Sequence, residues 1–285
     1  MIRPLTREDY ENRIHRVIRF LSDHAEEELT TERLADVACF SPYHFHRIYR
    51  GLMGETVMET VRRIRLHRAA VSLLRREASM PQVARRAGYG SVAAFTRSFT
   101  AAYGMPPAAY RDQGGLVPYH IRTPDEETIM SYPVSIRTCD PARLFCLPHQ
   151  GDYHQIGAVF DQLFSWAGPR GLVGPQTRSI GIYYDDPAVV PVEALRSQAA
   201  LTVPPDAVAE GRIETVTLPG GRYAVLRHKG PYAELPQAYH WLLGSWLPGS
   251  GEEAASLPCF EEYLNDPSQV APSDLLTDVH LPLKG

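Results

Sequence analysis

Three groups of residues carry the chemistry of this sequence. In the first, Tyr43, His46, Arg47 and Arg50 recur three or four residues apart, opposite Phe45, Ile48 and Leu52 on one helix. Arg47 has the planar fork of donors that matches guanine O6 and N7. His46 can donate or accept at a base edge, and Tyr43 offers a flat apolar ring with a hydroxyl. Arg50 suits a phosphate. In the second group, Val92, Ala93, Thr96 and Arg97 share the outward face of a helix that buries Phe95, Phe99 and Ala102. Here Arg97 and Thr96 are the base-edge candidates, and Val92 and Ala93 can touch thymine methyls. The third group lies in Pro258-Cys259-Phe260-Glu261-Glu262-Tyr263-Leu264, where strand alternation puts Glu261 on the same face as Tyr263. A carboxylate among aromatic rings attracts a cation. Trp166, Tyr183, Tyr239 and Trp241 are further candidates for the walls of such a site. Core packing is the alternative for each ring, and solvent exposure the alternative for Glu261.

Other patterns lead nowhere. His44-x-His46 has the spacing of a metal pair but no third ligand nearby, so no metal is expected. Neither a phosphate-binding glycine loop nor a Gly-x-Ser-x-Gly elbow occurs, so neither a cofactor nor a standard catalytic site is expected.

The elements that position the first two groups form a duplicated unit. Ile14, Val17, Ile18 and Leu21 mark a first helix. Thr30 or Thr31 opens a second, with Leu34, Ala35 and Ala38, and Ser41-Pro42 caps a third. Val83, Ala84 and Ala87 follow Leu34, Ala35 and Ala38 by 49 residues, whereas Ser91, Arg97, Phe99 and Gly104 follow Ser41, Arg47, Tyr49 and Gly54 by 50. One extra turn residue accounts for the change. Small residues, turn, cap, aromatics and closing glycine recur in order, which predicts two successive helix-turn-helix units. Between them a helix over about 55–76 would span roughly 30 Å, close to the ~34 Å between successive major-groove faces of a duplex.

Charge divides the chain. Through Gly115 there are 18 Arg and no Lys against 13 acidic residues, a net +5; the rest, with 11 basic and 20 acidic residues, carries −9. A basic half suits a polyanion, and an acidic half suits solubility or a cationic ligand. The turn formers Asp112-Gln113-Gly114-Gly115, with Pro118 and Pro124, predict a linker. Beyond it, β-rich segments at 134–136, 144–147, 180–184, 199–203 and 223–226 alternate with helical patterns around 156–166 and 235–246. This half also repeats: His149, Gly151, Tyr153, Ile156 and Phe160 reappear 79 residues later as His228, Gly230, Tyr232, Leu235 and Tyr239. Two strand-helix-strand-strand modules around a pseudo-twofold axis, with a shared groove, are expected.

Four cysteines without Cys-x-x-Cys spacing predict reduced, buried thiols. The polar start is no signal peptide, and no apolar run reaches the ~20 residues of a membrane span. A cytoplasmic protein that does not engage membranes is expected.

On these motifs the segment from about Glu8 to Arg111 resembles the DNA-binding domain of the AraC/XylS family. Its carrying residues are Leu34-Ala35, Ser41-x-x-His44-Phe45-x-Arg47, Ala84-x-x-Ala87-Gly88-Tyr89, Phe95-x-Arg97-x-Phe99 and Gly104-x-x-Pro107-x-x-Tyr110-Arg111. The resemblance implies base contacts from Tyr43, His46 and Arg47 in the first unit, and from Val92, Ala93, Thr96 and Arg97 in the second. Residues from about Ser131 to Lys284 resemble the GyrI-like, or Rob-like, small-molecule-binding domain. They do so through His149-x-Gly151-x-Tyr153, Ile180-Gly181-Ile182-Tyr183-Tyr184-Asp185-Asp186-Pro187, His228-x-Gly230-x-Tyr232 and Phe260-Glu261-x-Tyr263-Leu264-Asn265-Asp266-Pro267. That resemblance implies that Glu261 is the cleft glutamate and that effectors are lipophilic, often cationic.

The expected architecture is an all-α double helix-turn-helix domain over 1–112, a linker over 113–128 and an α+β GyrI-like domain over 129–285. The expected partners are double-stranded DNA, a small-molecule effector and RNA polymerase, with the chain acting as a monomer or homodimer. The first unit is expected to set specificity and the second to anchor. A hydrolase of reactive small molecules and a protein-interaction module are the alternatives for the C-terminal half.

Overall fold

The computed structural model describes residues 6–27, 29–76, 78–113 and 131–285. The expected linker, apart from Gln113, lies outside the described residues. Among the described residues seven helices come first: α1 (Arg7–Asp23), α2 (Thr31–Ala38), α3 (Pro42–Met53), α4 (Val57–Arg75), α5 (Met80–Arg86), α6 (Val92–Tyr103) and α7 (Pro107–Gln113). Local signals set their ends. Thr6 and Asp9, and likewise Thr56 and Glu59, exchange side-chain-to-backbone bonds in capping boxes that open α1 and α4. The extra residue between the two copies is Gly90: after α2 the chain turns through Cys39 (φ 54°) and after α5 through Gly88 (φ 84°), both in the left-handed region. Cys39 is exposed and Cys139 half-buried, so the expectation of four buried thiols holds only for Cys146 and Cys259.

The C-terminal half alternates strands and helices: β1 (Val134–Cys139), β2 (Ala142–Gln150), α8 (Gly157–Ala167), β3 (Ser179–Tyr183), β4 (Arg196–Thr202), β5 (Glu214–Leu218), β6 (Gly221–Lys229), α9 (Leu235–Trp241), α10 (Leu247–Ser250), β7 (Cys259–Tyr263) and β8 (Leu276–Pro282). A π turn at Leu242–Trp246 joins α9 to α10. The eight strands of the described residues form one antiparallel sheet in the order β1-β6-β8-β7-β3-β4-β2-β5. The modules β2-α8-β3-β4 and β6-α9-β7-β8 meet at the β3–β7 pair, with Gly181 opposite Glu261. Each module's leading strand, β1 or β5, pairs with the other module. Strands β5 and β8 are not marked in the sequence: in β5 the alternation is confined to Val216 and Leu218 between threonines. Strand β8 lies inside the sheet and is buried on both faces, and it carries Asp278, which Arg227 grips bidentately at 2.6 and 2.7 Å.

The hydrophobic cores do not divide where the chain's composition does. Leu66, Ala69, Ala70 and Leu73 of α4 form one core with Val83, Phe95, Phe99, Tyr103 and Tyr110, which closes the second helix-turn-helix unit on itself. Tyr10, Ile14, Phe45, Ile48, Val57 and Val61 instead share a core with Ala224, Leu226, Ala238, Tyr239, Leu242 and Val279. The first unit therefore packs with the sheet domain, and the change of core falls within α4. Among the described residues no helix is long and apolar enough to cross a membrane.

Candidate functional site

On α6, Val92, Ala93 and Arg97 are exposed and Thr96 is half-buried. The helix is capped by Ser91, whose hydroxyl accepts from the Ala94 amide, and it is held from below by Phe95 and Phe99, which are fully buried. Its outward face is turned to solvent.

The first unit is presented differently. On α3, Tyr43 and Arg50 are exposed, whereas His46 and Arg47 are half-buried. His46 Nε2 lies 3.0 Å from the Thr31 hydroxyl of α2. Arg47 lies against the sheet domain: its Nη2 donates to the Asp185 carbonyl at 3.2 Å, and its guanidinium stands 4.3 Å from the centroid of the Tyr239 ring. Burial disfavours the Arg47 charge, but the Asp186 carboxylate together with Tyr239, Cys259 and Tyr153 outweighs it and holds the pKa above the usual value. One turn earlier His44 is completely buried beside the Cys259 thiol, 3.9 Å away, and burial together with the Arg47 charge pushes it down to about 3. His44 and His46 thus face different elements.

One turn beyond Arg47, the backbone of α3 crosses the π turn. A Cβ placed on Gly51 would lie 2.2 Å from the Gly244 Cα, and one on Gly244 2.6 Å from the Gly51 Cα. Only two glycines allow this approach. His44, Arg47 and Gly51, at positions i, i+3 and i+7, make the docking stripe, and Arg47 belongs both to it and to the expected base-reading face.

Beneath the docked helix, Glu261, Tyr239 and Tyr183 are buried around the β3–β7 pair where the two modules meet. Alternation along β7 turns Glu261 and Tyr263 towards the helices and Glu262 to the opposite face, where Arg178 binds it at 2.6 and 2.9 Å. Glu261 is only 4% exposed. Tyr239 donates to its Oε1 at 3.1 Å and Tyr263 to its Oε2 at 2.9 Å, while the Tyr183 and Tyr263 hydroxyls lie 2.6 Å apart. Burial raises the Glu261 carboxyl to about 7, against the pull of the two phenols and of Arg47. The buried phenols of Tyr183, Tyr239 and Tyr263 are all pushed well above their usual values, burial being the main cause, and remain donors. Gly181 occupies the position in β3 that Glu261 occupies in β7. A Cβ there would meet the Tyr263 hydroxyl at 2.7 Å and the Tyr183 ring at 2.8 Å. Duplication has therefore produced an asymmetric cluster: in one half the acid is present, and in the other a glycine leaves room for two tyrosines.

Of the six residues proposed from sequence for the cleft, the structure brings together Glu261, Tyr263, Tyr239 and Tyr183. Trp241 lies apart, 5.7 Å from the Tyr132 ring, and Trp166 lines a separate groove of about 420 Å³ beneath the guanidinium of Arg170. Three residues not proposed complete the aromatic wall: Tyr153 at 4.8 Å from Tyr183, and Phe160 and Tyr232 at 5.5 and 5.4 Å from Tyr263. All three stand in the 79-residue repeat, so the duplication itself was the signal that marked them.

Comparison with known proteins matches residues 132–284 to the GyrI-like small molecule binding domain and residues 34–113 to a helix-turn-helix domain. A protein named as an uncharacterized HTH-type transcriptional regulator, YbfP of Bacillus subtilis (strain 168), is 36% identical over 102 residues, 36% of this chain; that match spans 35% of YbfP. A DNA gyrase inhibitor of Edwardsiella piscicida is 36% identical over 139 residues, covering 47% of this chain and 87% of its own length. Among solved structures, the EcmrR–DNA complex aligns over 90% of this chain and 85% of its own at 16% identity, with a TM-score of 0.49.

Proposed function

The chain belongs to the GyrI-like small-molecule-binding family, whose domain takes up more than half its length behind a helix-turn-helix domain, and on that premise we propose a DNA-binding transcriptional regulator governed by a lipophilic cation. The observation that carries the ligand class is Glu261, a buried carboxylate whose hydrogen-bond partners are two phenols within an aromatic wall. Such a group gains most from a cation that can also stack on the rings. Each chain supplies two reading helices, so a monomer suffices to engage one duplex, and RNA polymerase is the partner through which such a regulator acts on transcription. The fused reading domain favours this role over hydrolysis.

The test is calorimetric titration of the full chain with tetraphenylphosphonium, a lipophilic cation. With the carboxyl at about 7, protons compete with the cation below that pH. Affinity is therefore expected to rise about tenfold from pH 6 to pH 8 as Glu261 ionises. Glu261→Gln should lose both the tight binding and the pH dependence; a variant that binds like the wild type removes Glu261 from the site. On the DNA side, Arg97→Ala is expected to cost ~1–3 kcal/mol and to flatten base preference at one position. A loss of equal size on every sequence, measured by binding to a duplex library, assigns Arg97 to phosphate instead.

A further inference from the structure

Arg47 lies on the first reading helix, yet its guanidinium rests in the other domain, over the ring whose hydroxyl donates to Glu261. A cation, an aromatic face and a buried carboxylate thus already stand in sequence across the domain boundary. The acidic turn after β3 completes the embrace: the Asp185 carbonyl accepts from Arg47, and the Asp186 carboxylate acts on both Arg47 and His46. Two of the residues proposed to touch DNA therefore meet an acidic loop and a π face, which are the chemical features of a phosphate and a base.

We infer that Arg47 is an internal occupant of the effector cleft, so that a lipophilic cation and the docked first reading helix compete for the Tyr239–Glu261 position. The inference rests on the reading of that cleft as the effector site and adds how the site is coupled to DNA. One guanidinium cannot stack on Tyr239 and lie in a major groove at the same time, so the sheet domain and the duplex are alternative partners of the same helix face. A cation that takes the Tyr239 face displaces Arg47 and removes the central contact of the docking stripe, which weakens the hold that the shared core keeps on the helix. Effector and DNA then favour the same undocked state. By linkage each strengthens binding of the other by the same factor. In the docked state the second unit, whose α6 face is open, is the one available to a duplex.

The experiment uses the full chain, tetraphenylphosphonium as the probe, and a duplex selected in vitro with the wild-type protein. Arg47→Met, which empties the cleft of its internal cation, is expected to bind the probe about tenfold more tightly than the wild type, and Glu261→Gln at least tenfold more weakly. Saturating probe should tighten wild-type binding to the duplex about tenfold and leave that of Arg47→Met unchanged. Should Arg47→Met fold poorly, two measurements stand in for it. Arg47→Lys, which keeps the charge but lacks the planar stacking group, should show a smaller gain in probe affinity, and amide exchange over residues 42–53 of the wild type should quicken when the probe is added. If Glu261→Gln weakens the probe while Arg47→Met and Arg47→Lys bind it like the wild type, or if exchange over 42–53 is unchanged or slower, the competition is overturned and the effector cleft stands. Failure of the probe to bind wild type and Arg47→Met alike overturns both.

Discussion

Gly244→Leu is expected to drive the first helix-turn-helix unit off the sheet domain while leaving both halves folded. The obstacle is backbone against backbone: the new Cβ alone would lie 2.6 Å from the Gly51 Cα and 3.3 Å from its carbonyl carbon. No flexible side-chain end is there to yield, so the helices must separate. Inserting bulk into a packed interface typically costs ~1–3 kcal/mol, and a whole leucine side chain placed against backbone falls at or above the upper end of that range. The interface that resists this is the shared core of Tyr10, Phe45, Tyr239 and Leu242, with the Arg13–Glu253 ion pair at 2.7 Å and the Tyr10 hydroxyl on the Glu252 carbonyl at 2.9 Å. The expected readouts are faster amide exchange over residues 42–53 and an affinity for DNA raised tenfold or more, corresponding to ~1.4 kcal/mol per factor of ten. Retained probe binding at Glu261 would show that the sheet domain itself is intact. An unchanged affinity for DNA would mean that the docked arrangement already reads it.

Phe99→Ala is expected to have a comparable or larger effect on stability, confined to the other unit. Phe99 is fully buried, stacked on Tyr103 at 4.5 Å and edge-on to Tyr110 at 5.3 Å. Truncation of such a ring typically costs ~3–5 kcal/mol, because the cavity adds to the lost transfer energy. The second unit has a core of its own, separate from the one shared by the first unit and the sheet domain. Calorimetry should therefore show one transition moving down in temperature and another holding its place. A single transition that shifts as a whole would show that α4 couples the two cores into one cooperative unit.

Much of this molecule is readable from local signals. Capping pairs such as Thr56 and Glu59, the apolar periods of α3 and α6 and the repeated turn between them are all short-range, and each sets its element without help from distant residues. The same holds for Glu261 and Tyr263, whose common face follows from the two-residue period of a strand. What was not readable arises where elements far apart in the chain meet. Trp166 and Trp241 have the composition of cleft residues, but each lies on a helix whose orientation on the sheet sets the direction of its ring, and that orientation is a property of packing. Strand β8 was hidden because burial on both faces erases the alternation that marks a strand at a surface.

Chain order alone fixes the two helix-turn-helix units, the duplicated sheet domain and the residue types on each face, because periodicity, capping and repetition are written within a few turns of chain. Which of those faces are free follows only from how the halves pack. Arg47, 138 residues before Asp185 and far from Tyr239 in the chain, has the side chain suited to a base edge but lies on the Tyr239 ring of the sheet domain. The outcome turns on Gly51 and Gly244, two residues without side chains, whose only mark is how closely they let two backbones approach. A local pattern cannot carry that information, since it exists only once both halves have folded and met.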